Sequence, residues 1–404
     1  MQKIKVCYVI SSLSNQGPPN VLYNIIKYMD FSKFEISIIT MVEEQKISRI
    51  DEFKALPIRV VQMSPEKTLT PLAMYKTLRR TVELINPDIL HTHCPRSMFL
   101  VPFLPKKYKK METVHIYPGI QQKVMYGKLK GQVVIWLSNF FTKKMDEPIA
   151  CSESVAQSYW DEQHFRMKAI PNGCSLPLWH TDYNQKESLR KQFGLKKGVK
   201  YFIFIGRFSN EKHPEMIIRA FEQMNNPNLG VILLGNGDLY DDLKKHESAN
   251  ILLPGFKSNV YDYLIACDYY ISASDVEGLA NTLLESMTVG LPCVLSDIPS
   301  HKEVINKTVQ PMGYTFDNTN MESLLNAIRN VLNLNVESTA KSIREVFEHN
   351  YTAKHMSEQY QEEDLKIMGK YYPLIDSGYS CNMQSYILHS SVSAIRTNVY
   401  INTD

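Results

Sequence analysis

Arg207 and Lys212 stand in the run Ile205-Gly206-Arg207-Phe208-Ser209-Asn210-Glu211-Lys212, directly after an apolar, β-favouring segment. An arginine fork grips two phosphate oxygens at once and a lysine acts as a point charge, so the pair suits neutralising a diphosphate. A second chemical stretch runs from Asp275 to Gly290, Asp-Val-Glu-Gly-Leu-Ala-Asn-Thr-Leu-Leu-Glu-Ser-Met-Thr-Val-Gly. It sets Glu277 and Gly278 between the strand-like run from Tyr269 to Ala273 and the helically spaced Leu283, Leu284 and Met287, which stop at Gly290 and Pro292. Free N–H groups and the dipole of a helix start attract an anion, and a glycine lets a phosphate reach the backbone. Glu285 follows at about 12 Å along the axis if the stretch is helical throughout. A carboxylate on either side of an anion hole fits a ligand with hydroxyls at both ends of a diphosphate. The same spacing also fits an ordinary helix with two solvated glutamates.

Weaker signals fall at other expected strand ends. Leu234-Gly235-Asn236-Gly237-Asp238 and Pro254-Gly255-Phe256-Lys257 are turns that, arriving in order, outline one pocket. The polar loop from Ser11 to Asn20, with Gly17 at its centre, leads from the first strand into a helix and is placed to face a ligand. His91-Thr92-His93 and Thr113-Val114-His115 each close a strand, and neither has the His-Glu-x-x-His spacing of a zinc site. No Gly-x-Gly-x-x-Gly and no Gly-x-x-x-x-Gly-Lys-Ser/Thr occurs, which argues against a dinucleotide fingerprint and a P-loop.

The elements that must position these residues alternate regularly. Apolar runs begin near Val6, Glu35, Arg59, Ile89, Glu112, Ile149 and Ala169, separated by helix-length segments, and a second series begins near Tyr201, Val231, Ile251, Tyr269 and Cys293. That is the rhythm of parallel α/β sheets, whose ligands sit outside the carboxyl ends of the strands. We expect two Rossmann-like, doubly wound domains facing a central cleft: residues 1–173, a linker over 174–200, and 201–350. A helix over 351–370 should pack back on the first domain, and the tail 371–404 has no assignable structure.

With 404 residues, 44% of them apolar and 22% charged, the chain can build two substantial cores. The net charge of +3 sets no global field for nucleic acid. Seven scattered cysteines without a Cys-x-x-Cys pair fit buried thiols in a reducing, cytoplasmic compartment. Lys3 and Lys5 precede Val6 to Ile10, but the apolar run breaks at Ser11-Ser12 and reads as a strand rather than a leader. No run approaches the length of a membrane span. Between Lys106 and Lys144, lysines are interleaved with Tyr108, Tyr117, Tyr126, Trp136, Phe140 and Phe141, a composition suited to an anionic membrane face, to a nucleic-acid backbone, or simply to solvent.

Taken in order, Gly206-Arg207 through Glu211-Lys212, Gly235-Asn236-Gly237, Pro254-Gly255-Phe256, Glu277-Gly278 with Glu285, and Gly290 to Val294 followed by Glu303 resemble the retaining glycosyltransferases of family 4, which have the GT-B fold. The likeness covers roughly residues 200 to 320 closely. It is thinner in the first half, through the Gly17 loop, Thr113-Val114-His115, Cys151-Ser152-Glu153 and Ile170-Pro171-Asn172-Gly173. The resemblance implies a nucleotide-sugar donor, UDP-linked by family habit, whose hexose or N-acetylhexosamine passes to a lipid-linked or other surface-glycan acceptor on the inner face of a membrane. Arg207 and Lys212 would hold the leaving diphosphate, Glu285 the ribose, Glu277 the transferred sugar, and the amides near Gly278, Leu279 and Ala280 the phosphates. Gly17, Gly235, Gly237 and Phe256 would complete the donor site, and His115 would face the donor sugar from the first domain. His91 and His93 are acceptor-side candidates. Neither a metal nor a cofactor is expected, in keeping with the lack of Asp-x-Asp. Pro18 replaces a usual glycine, which removes one N–H donor. The alternative is a catalytically silent protein of the same fold that binds nucleotide-sugars or nucleic acid.

Overall fold

A computed structural model describes residues 2–44, 46–63, 70–119, 122, 127–175 and 183–369. Tyr126 and the tail 371–404, both singled out above, lie outside the described residues. The first domain holds β1 (Ile4–Ile10), β2 (Phe34–Thr40), β3 (Arg59–Gln62), β4 (Ile89–Thr92), β5 (Lys109–Val114), β6 (Glu147–Ala150) and β7 (Lys168–Ala169). The second holds β8 (Lys200–Ile205), β9 (Leu229–Leu234), β10 (Ile251–Gly255), β11 (Tyr269–Ser272), β12 (Cys293–Ser296) and β13 (Gly313–Phe316). β13 is an addition to the expected strands.

The sheet orders are β3-β2-β1-β4-β5-β6-β7 and β10-β9-β8-β11-β12-β13, and the pairings are parallel. Both halves thus wind outward in two directions from a central pair, β1 beside β4 and β8 beside β11. Such a reversal opens a crevice at the carboxyl ends of the two strands. The strands read as continuous apolar runs because helices cover both faces: β9 is buried along its whole length. The helix Pro214–Met224 shows the pattern, burying Ile217, Ile218, Ala220 and Phe221 on one face after a proline at its start. Ile217, Ile218 and Phe221 contribute about 1.5–3 kcal/mol each on burial.

The stretch expected as a linker is only partly one. Residues Tyr183–Gln192 form a helix bound to the second domain, where Lys186 and Arg190 both pair with Asp268, and Phe193 stacks on Tyr263 at 4.0 Å. The crossing itself lies around Cys174, whose N–H donates to Tyr351 O (3.0 Å) and whose carbonyl accepts from Ala353 N (2.9 Å). Outgoing and returning chains therefore pair where they cross. A Cβ on Gly173 would lie 2.5 Å from Thr352 O, so only glycine fits there. The returning chain becomes the helix Ala353–Ile367, which sits on the first domain: Ser357 Oγ donates to Ile25 O (2.7 Å), and Met356 and Tyr360 join the core of Ile25, Val21 and Tyr8.

Candidate active site in the interdomain cleft

Four loops leave the carboxyl ends of neighbouring strands in the second domain, and they carry the residues marked by sequence. The loop after β8 holds Arg207 and Lys212, that after β9 holds Gly235 and Gly237, Phe256 follows β10, and Glu277 to Ala280 follow β11. The glycines allow backbone to pack on backbone. A Cβ on Gly235 would lie 1.8 Å from Gly206 O, and one on Gly237 would lie 2.4 Å from Phe208 O. Phe256 is exposed at the rim, free to present a ring face.

Glu277 lies between Lys212 Nζ, with which it forms an ion pair, and Ser274 Oγ, which donates to its Oε1 at 2.9 Å. Ser274 is itself held by Ser296, whose hydroxyl donates to its carbonyl at 2.6 Å. Arg207 is exposed and pairs with no carboxylate among the described residues. Both cations stand in one loop with Glu211, whose Oε1 accepts from Ser209 Oγ at 2.7 Å.

The expected helix start at Gly278 needs correction. The helix is Asn281–Val289, with Leu284 N donating to Ala280 O, so Glu277 and Gly278 lie in a loop and the 12 Å helical separation from Glu285 does not apply. The reason is competition from the first domain. Gly278 O accepts from Ser152 Oγ (2.8 Å) and Leu279 O from Asn172 Nδ2 (3.0 Å), so these peptides are turned out of helical geometry. The amides of Gly278, Leu279 and Ala280 donate to no backbone carbonyl among the described residues, which leaves them for a ligand. At the far end Gly290 caps the helix with φ of 81°, as its sequence position implies.

Glu285 sits in a recess with Tyr261, Cys174 and Tyr270 around it. Burial pushes its carboxyl up to about 7, against the pull of the Arg49 guanidinium in the first domain. Arg49 is fixed over the Tyr23 ring (4.2 Å) and donates to Asn20 Oδ1 (2.8 Å). When ionised, the carboxylate accepts charge-assisted hydrogen bonds from two hydroxyls at once; when protonated, it keeps only a weaker, neutral acceptor. The KM for the donor should therefore rise about tenfold from pH 8 to pH 6, one decade per unit below the pKa. Glu285→Gln should bind weakly at every pH and flatten the profile; a profile unchanged in Glu285→Gln would remove Glu285 from the site.

The first domain meets this loop through His115. A Cβ on Gly278 would stand 1.8 Å from His115 O and 2.8 Å from Cys151 Sγ, so the two domains touch with no room for a side chain. Three further bridges hold them: Asn281 Nδ2 donates to Gly17 O (3.3 Å), and Glu303 accepts from Ser154 N (2.8 Å) and Glu153 N (3.2 Å). His115 Nε2 lies 3.2 Å from His93 Nδ1, and burial lowers His115 to about 4, which keeps the imidazole neutral.

His91 and His93 do not reach the cleft surface. Both are fully buried: His91 Nε2 lies 2.9 Å from Thr113 Oγ1, which is 3.0 Å from Tyr360 OH, and His93 backs His115. Burial brings His91 to about 3 and holds His93 well below the usual range. They can support His115 but cannot touch an acceptor in this arrangement. Sequence spacing missed Arg49, Ser274 and the partners Ser152 and Asn172, whose only signal was membership of the short Cys151-Ser152-Glu153 and Pro171-Asn172-Gly173 runs. Among the described residues, no group of three or more His, Cys, Asp or Glu side chains is arranged to hold a metal ion.

Two family models match successive parts of the chain: "Glycosyltransferase Family 4" over residues 16–176 and "Glycosyl transferases group 1" over residues 185–361. Among curated relatives, an Escherichia coli UDP-Gal:alpha-D-GlcNAc-diphosphoundecaprenol alpha-1,3-galactosyltransferase is 24% identical over 81% of this chain and 87% of its own length. The Escherichia coli O-antigen biosynthesis glycosyltransferase WclY is 24% identical over 89% of this chain and 97% of its own. Among solved structures, Anabaena HepE in complex with UDP and glucose superposes with a TM-score of 0.74 at 17% identity, over 89% of this chain and 99% of that one.

Proposed function

The chain belongs to the group 1 glycosyltransferases of the GT-B fold, and from that premise we propose that it moves a hexose or N-acetylhexosamine from a UDP-sugar, with retention, to a lipid-linked or surface-glycan acceptor. It is an enzyme, a glycosyltransferase. The observation that carries the finer reading is the loop row of the second domain. It sets Glu277, paired to Lys212, against a half-buried Glu285 that no side chain among the described residues hydrogen-bonds. Glu285 would accept from the ribose, Glu277 from the sugar hydroxyls, and Phe256 would lie against the base edge of the pocket. Arg207, Lys212 and the free amides at Gly278 to Ala280 would take the charge that grows on the departing diphosphate, without a metal. Neutral His115 would hydrogen-bond the sugar or the β-phosphate from the opposite wall.

UDP is preferred because the curated galactosyltransferase names it and because UDP is present in the HepE complex. Retention is supported by the family resemblance. We place the reaction in the cytoplasm, in keeping with the six described cysteines, all free thiols. A silent binder is less favoured, since both cations and both glutamates are present and converge. The test is a panel of UDP- and GDP-sugars with lipid-diphosphate and simple glycoside acceptors, read by mass spectrometry, with the product anomer read by NMR. Transfer from a UDP-sugar with the anomer kept is expected. Transfer only from GDP-sugars, or an inverted product, would sink the respective part, and donor binding without any turnover would restore the silent binder.

A further inference from the structure

We propose that His301, a buried histidine behind the donor loops, is a positioning residue for Glu277: its Nδ1–H turns the Ser296 hydroxyl onto Ser274 O and so fixes the loop that would hold the transferred sugar. The inference rests on the reading of Glu277 as the sugar-holding carboxylate. His301 lies in the helix Pro299–Ile305, which follows β12, and its ring is sealed from solvent. Its effect on a ligand therefore passes through other residues.

The last register pair between β11 and β12 joins Ser272 to Leu295, so the segment from Ser274 to Glu277 lies past the ladder and needs other ties. On the β8 side the tie is backbone, Asp275 N donating to Glu211 O at 2.9 Å. On the β12 side it is a side chain, Ser296 Oγ donating to Ser274 O at 2.6 Å. Ser274 Oγ in turn donates to Glu277 Oε1 at 2.9 Å, and Glu277 pairs with Lys212. Ser274 and Ser296 are both buried, which shields this chain of bonds from competing water.

A serine hydroxyl rotates and carries one proton, so its direction depends on what else is in reach. Around Ser296 Oγ the choices are Ser274 O and His301 Nδ1, the latter 3.1 Å away. The histidine decides between them. His301 Nδ1 also lies 3.0 Å from Ser296 O, and a carbonyl oxygen only accepts, so the ring proton sits on Nδ1. That N–H donates to Ser296 O and to a lone pair of Ser296 Oγ, which leaves the serine proton for Ser274 O. The opposite tautomer would set a bare Nδ1 against a carbonyl oxygen and draw the serine proton away from Ser274. With Nδ1 protonated, Nε2 is a bare lone pair, buried and without a hydrogen-bond partner among the described residues. Burial lowers the His301 pKa against the pull of the Glu277 carboxylate, in keeping with a neutral ring. The imidazole thus serves through one donor, Nδ1–H.

The experiment uses the full-length protein with the UDP-sugar and acceptor that give turnover in the panel above, and reads kcat/KM for the donor beside the calorimetric Kd for UDP. Asparagine can place its Nδ2–H where Nδ1–H stands, whereas glutamine sets its amide near Nε2 and leaves Ser296 without a donor. His301→Gln should lower kcat/KM about 10–100-fold, the range of one buried polar group left unsatisfied, and His301→Asn should recover most of it. Kd for UDP should stay at the wild-type value in both, since UDP lacks the sugar that Glu277 would hold. Ser296→Ala, which deletes a single oxygen, should reproduce the loss and decides the matter if the glutamine variant does not fold. Because His301 acts through Glu277, His301→Gln added to Glu277→Gln should cost nothing further. The nitrogen NMR spectrum of histidine-labelled protein, with the His301 signals identified by their loss in His301→Asn, should show the proton on Nδ1. Wild-type kcat/KM in Ser296→Ala, a loss in His301→Asn equal to that in His301→Gln, an equal loss of UDP affinity, full additivity with Glu277→Gln, or a neutral ring protonated on Nε2 each overturns the inference. If Glu277→Gln alone keeps the wild-type rate, the sugar-holding place of Glu277 fails instead, and the role of His301 falls with it. If the protein turns over no UDP-sugar, the UDP part of the proposed function fails, and the same variants are read with the donor that is used.

Discussion

Gly278→Ala is expected to lower kcat by about a hundredfold while the protein stays folded and still binds UDP, because misplacing a catalytic wall by about 1 Å costs that much. The alanine Cβ would stand 1.8 Å from His115 O and 2.8 Å from Cys151 Sγ, and the first of these is backbone that no rotamer change can move. Relief must come from separation of the domains, which breaks the bonds of Ser152 Oγ to Gly278 O and Asn172 Nδ2 to Leu279 O. His115 then loses its place opposite Glu277. Gly278 does not have positive φ, so the substitution strains closure rather than the loop itself. Calorimetry with UDP, which the proposed site would hold through the second domain, should give a Kd close to wild type, and small-angle scattering should show a more open molecule. Turnover within threefold of wild type would remove closure at Gly278 from the account. The milder Ser152→Ala, which deletes one bridge without adding an atom, should cost less than Gly278→Ala and change kcat rather than nucleotide binding.

What could be seen in the chain beforehand follows from the range of the interactions. Buried parallel strands such as β1, β8 and β9 are continuous apolar runs, and they stand out because both faces are covered. β13, Gly-Tyr-Thr-Phe, escaped because it is short, starts with glycine and is only half buried in the middle. Arg207, Lys212, Glu277 and Glu285 were legible because each belongs to a local run with a fixed spacing after a strand. The start of the helix at Asn281 was not, since it is decided by Ser152 and Asn172, far away in the sequence. The same holds for Arg49, whose effect on Glu285 crosses the cleft and leaves no local pattern. His91 and His93 illustrate the opposite error. A histidine at a strand end reads as a cleft residue, yet ring packing among Tyr8, His91 and His93 at 4.7–5.6 Å draws both rings into the interior.

Lys212→Ala is expected to reduce kcat by about 10²–10³-fold, the usual cost of removing one preorganised group from a developing charge. In the proposed role the lysine is held in place before substrate arrives. Its ammonium pairs with Glu277, and Glu277 is steadied by Ser274, so charge at the β8 and β11 loops is fixed with little freedom left to lose. A diphosphate entering beside Arg207 would share Lys212 with Glu277, and as the sugar–phosphate bond breaks, the added charge falls on oxygens facing both cations. Loss should therefore concentrate in kcat, with a smaller rise in donor KM, since in the proposed site ground-state binding would also draw on Arg207, Glu285 and the amides at Gly278 to Ala280. A purely structural lysine would behave differently: Lys212→Ala would lower the melting temperature, and the double variant Lys212→Ala/Glu277→Gln, which removes the stranded carboxylate, would recover activity. Under the role argued here the double variant recovers stability but not kcat. Recovery of turnover in that variant would assign Lys212 to holding Glu277 rather than to the leaving group.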